Sequence, residues 1–189
     1  MKALVTGAAG FIGSHLSERL LERGHSVIGL DSFTDYYPRE IKETNLSSLR
    51  TRSNFEFLET SIEDAPLKDV INNVTHVFHL AAQAGVRKSW GRDFSTYTTL
   101  NVNATQRLLE SCINSDVERF VYASSSSIYG DGAPIPTRED ERPRPLSPYG
   151  VTKLAAEHLC MLYHANYGLP TVAIRYFTVY GPWGRPDMA

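Results

Sequence analysis

Ala3-Leu4-Val5-Thr6-Gly7-Ala8-Ala9-Gly10-Phe11-Ile12-Gly13-Ser14-His15-Leu16 is the stretch that decides how the rest of the chain is read. A short apolar run ends at Thr6, and glycines follow at every third position. Apolar residues then recur at Ile12, Leu16, Leu20 and Leu21, which is a helical period. Strand, glycine turn and helix in that order form the context that a dinucleotide pyrophosphate needs. Gly7 permits the tight turn, Gly10 leaves room for phosphate oxygens, and Gly13 lets the helix pack close to the strand. The free N–H groups at the helix start then face the anion.

Working outward, the run Val27-Ile28-Gly29-Leu30 reads as a second strand and ends in Asp31, 18 residues after Gly13. An acid there accepts hydrogen bonds from ribose hydroxyls and repels a 2′-phosphate. No Arg or Lys is its neighbour in the sequence, so NAD is expected rather than NADP.

The remaining segments alternate. The first helix is expected to reach residue 23, with Gly24 as its stop. A loop over 32–38 leads into a charged helix over 39–49. A third strand is expected over 54–58, a short helix over 65–72, a fourth strand over 75–80, and one long helix over 93–114. A fifth strand over 119–124 precedes a loop over 128–148 that holds five prolines, and a helix over 149–167 closes at Gly168. A sixth strand is expected over 171–175, and 176–189 reads as loop. This alternation predicts an α/β fold, a Rossmann-like doubly wound parallel sheet with ligands at the carboxyl ends of its strands. Residues 1–175 are expected to form the cofactor-binding domain and 176–189 the start of a smaller one, most of which is missing.

Composition limits the partners. Apolar residues at 42% and charged residues at 21% suit a globular domain that buries a core. A net charge of −2 without a basic block argues against nucleic acid. No apolar run approaches the ~20 residues that span a bilayer, so no membrane partner is expected. Cys112 and Cys160 fall in expected helices, which fits packing residues in a reducing cytoplasm. No metal site is assigned.

Chemistry beyond the cofactor begins at Tyr149-Gly150-Val151-Thr152-Lys153. Residues four apart share a helical face. An ammonium beside a phenol favours the phenolate and lowers its pKa from about 10, so that Tyr149 can act as a base near neutrality. The fifth strand runs into Ser124-Ser125-Ser126-Ser127, whose hydroxyls can bond a reacting alcohol or carbonyl. Asn101 is a polar residue within the long expected helix, where a solvated or helix-bonding side chain is the simpler reading.

Taken together, Gly7-x-x-Gly10-x-x-Gly13, Asp31, His79-Leu80-Ala81-Ala82, Asn101, the serine run and Tyr149-x-x-x-Lys153 resemble the extended short-chain dehydrogenase/reductases that modify nucleotide sugars. The resemblance covers the whole chain. It implies that Gly7, Gly10, Phe11, Ile12 and Gly13 hold the NAD pyrophosphate and that Asp31 and Ser32 hold the ribose. Ser61 and Ile62 would border the adenine, although many members carry Asp where this chain has Ser61. Leu80, Ala81, Ala82 and Asn101 would line the cofactor, and Tyr176 would lie near the nicotinamide. Tyr149 would be the base, Lys153 would hold the nicotinamide ribose and tune Tyr149, and Ser125 would assist at the sugar hydroxyl.

Within that family, 81–87 and 175–189 are similar to UDP-glucuronate 4-epimerases. UDP-glucose 4-epimerases commonly have Asn where this chain has Thr178. The 4,6-dehydratases usually carry Asp-Glu where it has Ser126 and Ser127, and the decarboxylases Glu in place of Ser127. The resemblance thus implies a UDP-sugar substrate touched by Gly85, Val86, Arg87, Ser125, Ser126, Ser127, Tyr149, Thr178 and Arg185. Arg185 is suited to pair bidentately with a carboxylate. Members of the family also imply a homodimer made by pairing the helices near 93–114 and 149–167. UDP-glucose 4-epimerase, and a non-catalytic NAD-binding module, are the alternatives; the intact Tyr149, Lys153 and Ser125 argue against the second.

Overall fold

The computed structural model describes residues 1–184. Six parallel strands form one sheet in the order β3-β2-β1-β4-β5-β6. They are β1 (Lys2–Thr6), β2 (Ser26–Asp31), β3 (Phe55–Glu59), β4 (His76–His79), β5 (Arg119–Ser125) and β6 (Thr171–Tyr176). The order reverses between β1 and β4, so the crossovers leave in opposite directions there and a crevice opens beyond the strand ends.

β1 shows why the sheet forms. Its side chains alternate between faces. Leu4 enters one core with Ile28, Leu30, Val77, Phe120 and Tyr122, while Ala3, Val5 and Val27 enter the other. Leu4 and Val5 are fully buried, and each such side chain contributes about 1.5–3 kcal/mol.

On one side of the crevice stand α1 (Phe11–Glu22) and α2 (Arg39–Leu46). α1 is stopped by Arg23 and by Gly24 at φ 76°, whose N–H donates to the Leu21 carbonyl at 3.0 Å. α2 is shorter than its charged pattern suggests. It ends at Leu46, and a separate turn covers Leu49–Thr51. α3 (Leu67–Ile71) follows β3.

The long helix expected over 93–114 is broken into three. α4 (Phe94–Tyr97) runs into a π-helical stretch, Thr98–Asn103, and then into α5 (Ala104–Ser111). Thr-Thr-Leu-Asn-Val-Asn is rich in weak helix formers. The widened turn is fixed from outside, as described below. α6 (Pro148–Tyr167) is uninterrupted: the Ser147 hydroxyl caps its start by accepting from the Gly150 N–H at 3.1 Å, Pro148 occupies the first turn, and Gly168 ends it at φ 70°. No helix among the described residues is long and apolar enough to cross a membrane.

Candidate active site

A cavity of about 310 Å³ lies at the carboxyl ends of the strands. It runs from Asp31 and Ser61 at one end to Tyr149, Lys153 and Thr178 at the other.

The glycine turn forms its floor. Gly7 has φ 71°, and a Cβ there would come within 2.8 Å of the Ala81 nitrogen. A Cβ at Gly13 would collide with the Gly7 carbonyl. The two glycines therefore set how near α1 comes to β1 and β4. Gly10, Phe11 and Ile12 line the cavity with them. The turn is secured from below: the Gly7 N–H donates to the Leu30 carbonyl at 2.7 Å, and the Asn45 amide donates to the Ala9 carbonyl at 2.9 Å.

Asp31 closes one end. Its carboxylate accepts the Ala9 N–H at 3.2 Å and the Phe33 N–H at 2.9 Å. Burial nevertheless raises its pKa above the ordinary carboxylate value, outweighing those bonds and the charge of Lys42. Lys42 corrects the sequence reading. No basic residue neighbours Asp31 in the chain, yet α2 carries Lys42 into the same end of the cavity, where its ammonium donates to the Thr34 carbonyl at 2.8 Å. Burial lowers its pKa. Lys42, Asn45 and Leu46 are all buried on one face of α2, a stripe that could have flagged this lysine. Ser32, Ser61 and Ile62 line the same end as expected.

A hydrogen-bond chain fixes the middle. Thr105 Oγ1 donates to the Asn101 carbonyl at 2.7 Å, so it accepts from His79 Nε2 at 2.9 Å. The ring's Nδ1 then accepts from Thr6 Oγ1 at 2.8 Å, and that oxygen accepts the Ala81 N–H at 3.2 Å. Burial, with a smaller effect from Lys153, holds His79 neutral by moving its pKa down to about 3. The chain ties β1, β4 and the π-helical stretch together beneath Leu80, Ala81 and Ala82, all of which line the cavity.

Asn101 does not line it. The side chain is buried, accepts the Gln83 N–H at 2.7 Å, and donates to the Gln83 carbonyl at 3.1 Å and to Thr152 Oγ1 at 3.0 Å. It joins the segment after β4 to α6, and the π turn is the geometry that lets it reach both. Its place is behind the cofactor wall rather than in it.

At the far end, Tyr149 and Lys153 rise from the first turns of α6, and both line the cavity with Ser125, Tyr176 and Thr178. Lys153 is buried, with its ammonium 4.6 Å from the Tyr122 ring centroid, and burial pushes its pKa down to about 7. The Ser125 hydroxyl accepts the Ser127 N–H at 3.1 Å, so its proton remains available to a ligand. Ser126 and Ser127 turn away into Ser126–Ile128 and do not line the cavity. Gly85, Val86 and Arg87 also lie off its wall: Gly85 faces the Tyr36 hydroxyl, and Val86 and Arg87 are exposed. Arg185 lies outside the described residues.

Behind this end is a network that the sequence reading missed. Glu157, one turn beyond Lys153, accepts the Ser124 hydroxyl at 2.6 Å and the Arg175 guanidinium at 2.7 Å. Arg175 also donates to the Tyr129 hydroxyl at 3.0 Å and to the Glu139 carbonyl at 2.8 Å. Burial works to raise the Glu157 pKa, but the bonds from Arg175 and Ser124 outweigh it and leave it below the ordinary value. The pair joins β5, β6, α6 and the proline loop.

A glycine cradle, a partly buried acid at one end and a tyrosine–lysine pair at the other, all in one crevice, agree with what comparison with known proteins finds. The model of the NAD dependent epimerase/dehydratase family matches residues 3–189. The chain belongs to that family. A Bacillus subtilis (strain 168) protein described as uncharacterized UDP-glucose epimerase YtcB is 49% identical over all of this chain and 60% of its own length. UDP-glucuronate 4-epimerase 3 of Arabidopsis thaliana is 46% identical over 98% of this chain and 44% of its own. Among family members of known structure, UDP-glucuronic acid 4-epimerase from Bacillus cereus, solved with UDP-glucuronic acid and NAD, superimposes with a TM-score of 0.96 at 50% identity. All of this chain and 60% of that one are covered. The chain thus spans between 44% and 60% of the length of these relatives.

Proposed function

We propose that the crevice holds NAD and that the chain is the cofactor-and-catalysis part of a UDP-sugar 4-epimerase, most consistent with UDP-glucuronate to UDP-galacturonate. The observation that carries the reading is the meeting of Tyr149, Lys153 and Ser125 at the end of the cavity opposite Asp31. Residues 1–175 would act as the NAD-binding domain. The residues fit the dinucleotide: the Gly7–Gly13 turn leaves a cradle that a Cβ would obstruct, and Asp31 stands where a ribose diol needs acceptors. NAD supplies a hydride acceptor that returns the hydride after the sugar has presented its other face.

The protein's part is proton handling and orientation. Tyr149, as phenolate, takes the proton of the sugar 4-hydroxyl while C4 is oxidised, and gives it back as the 4-keto group is reduced. Ser125 donates to the same oxygen. Lys153 holds the ribose near the reacting carbon and, when protonated, favours the phenolate. For a glucuronate the keto sugar is a β-keto acid prone to lose carbon dioxide. A carboxylate held close to the carbonyl plane, with Thr178 and Arg185 as its partners, keeps the breaking bond poorly aligned. The identity to UDP-glucuronate 4-epimerases supports this choice of sugar. Dimerisation through α4–α5 and α6 is part of the proposal, supported by the exposed Phe94, Val151, Met161 and Leu162 on those helices.

The test is proton NMR of the anomeric region with this chain, NAD, and equal UDP-glucuronate and UDP-glucose. Galacturonate growing first is the expected result. Galactose growing first contradicts the choice of sugar, and no product from either shows that the proposed catalysis needs more than this chain supplies.

A further inference from the structure

Lys153 has no carboxylate partner among the described residues. What its ammonium faces is a ring: Nζ stands 4.6 Å over the centroid of Tyr122, and both side chains are buried. The π face of a phenol is negative and attracts a cation at that distance, most strongly where water is shut out.

The ring is held from its other sides. Tyr122 on β5 pairs with His79 on β4, and their rings lie 5.7 Å apart. The core that receives the ring includes Leu108, Ala156 and Cys160. The hydroxyl does not anchor it, since Tyr122 Oη is buried and has no hydrogen-bond partner.

The other titratable groups around the ammonium bring it little charge. Burial keeps His79 of β4 neutral and pushes the Cys160 thiol of α6 and the Tyr176 phenol of β6 up, so that all three are uncharged near neutrality. Glu157 on α6 is taken by Ser124 and Arg175. The Tyr97 hydroxyl of α4 donates to the Ala84 and Gly85 carbonyls, and the π-helical stretch has no titratable side chain. Tyr149 remains, the group that the ammonium is to tune.

We infer that Tyr122 is a positioning residue for Lys153: its ring face holds the ammonium at the crevice wall and favours the charged amine over the neutral one. A carboxylate could hold the amine too, but its negative charge would oppose a phenolate at Tyr149. A ring adds no net charge, so the full effect of the ammonium reaches Tyr149. The consequence for catalysis rests on the reading that Lys153 tunes that residue.

The experiment is an NMR titration of the 189-residue chain carrying isotope-labelled lysine, with Lys153→Met to identify the Lys153 resonance. Tyr122 is replaced by Phe and then by a series of increasingly fluorinated phenylalanines, which keep the shape of the ring while withdrawing negative charge from its face. Circular dichroism verifies folding. Tyr122→Phe should leave the Lys153 midpoint where the unaltered chain has it, at about 7. Each added fluorine should lower it, the most fluorinated ring weakening the proton affinity about tenfold. One midpoint across the folded series overturns the inference, and so does a fall already complete in Tyr122→Phe, which would assign the effect to the hydroxyl. The titration uses neither nucleotide nor sugar, so its failure concerns Tyr122 alone. The cofactor reading fails separately, if NAD does not bind the unaltered chain.

Discussion

The two ends of the crevice are built by different physics. The β1–α1–β2 end is shaped by backbone: glycines admit a close approach, and N–H and carbonyl groups of residues 7–9 are held by Leu30, Asp31 and Asn45. The β5–α6–β6 end is shaped by charge: Lys153, which has no carboxylate partner among the described residues, and Glu157 gripping Ser124 and Arg175. The outer face of β6 differs as well, since Val172, Ile174 and the following Phe177 are exposed, whereas β1 and β2 are covered on both faces. A backbone cradle suits a ligand that is held and never altered. A charged, unevenly neutralised end suits a place where protons move.

The sharpest way to break this comparison is Glu157→Ala. It leaves the partly buried Arg175 without its counter-charge and should cost about 2–3 kcal/mol, measured by urea unfolding. Glu157→Gln should recover part of that, because the amide oxygen can still accept. A loss below 1 kcal/mol (roughly the value of an exposed pair) would show that buried charge does not organise this end. Next is Gly13→Ala, the same question asked of the backbone end. The added methyl group meets the Gly7 carbonyl, so α1 must shift, at about 1–3 kcal/mol, with weakened NAD binding. Unchanged affinity would mean that the close approach is not needed.

A third test is Lys153→Met, which should move stability and turnover in opposite directions. Lys153 titrates at about 7 when folded and near its ordinary, higher value when unfolded. Between those values the unfolded chain binds the extra proton, so this residue makes stability rise with pH across that window; below about 7 the penalty is constant. Removing the amine should stabilise the protein by about 1–4 kcal/mol at neutral pH while abolishing turnover. That advantage should shrink as pH rises toward 10. A pH-independent difference would mean that the folded pKa is not depressed.

The comparison also explains what the sequence disclosed. The glycine spacing, Asp31 and Tyr149-x-x-x-Lys153 are local patterns, and local geometry carried them into place. Strand positions were legible for the same reason, to within a residue or two. Lys42, Glu157 and Arg175 were not, since each acts through partners brought together by the sheet order rather than by spacing. The π-helical stretch was hidden because Asn101 is bonded at once to Gln83 and to Thr152, a demand absent from 93–114 alone. Asn101 then reads as a solvated residue in a continuous helix, when it is a buried brace. Gly85, Val86 and Arg87 were placed in the site by likeness to relatives, and the described residues put them beside it.

The most direct measurement is on Tyr149→Phe, which keeps the ring and removes the hydroxyl. NAD affinity by titration and conversion of UDP-glucuronate should be followed on the same preparation. The account predicts affinity within about twofold of the parent and turnover lower by about 10³, the scale of a lost general base. Substantial turnover with the hydroxyl gone would contradict it, because the chemistry would then not depend on the residue on which the far end of the crevice is centred.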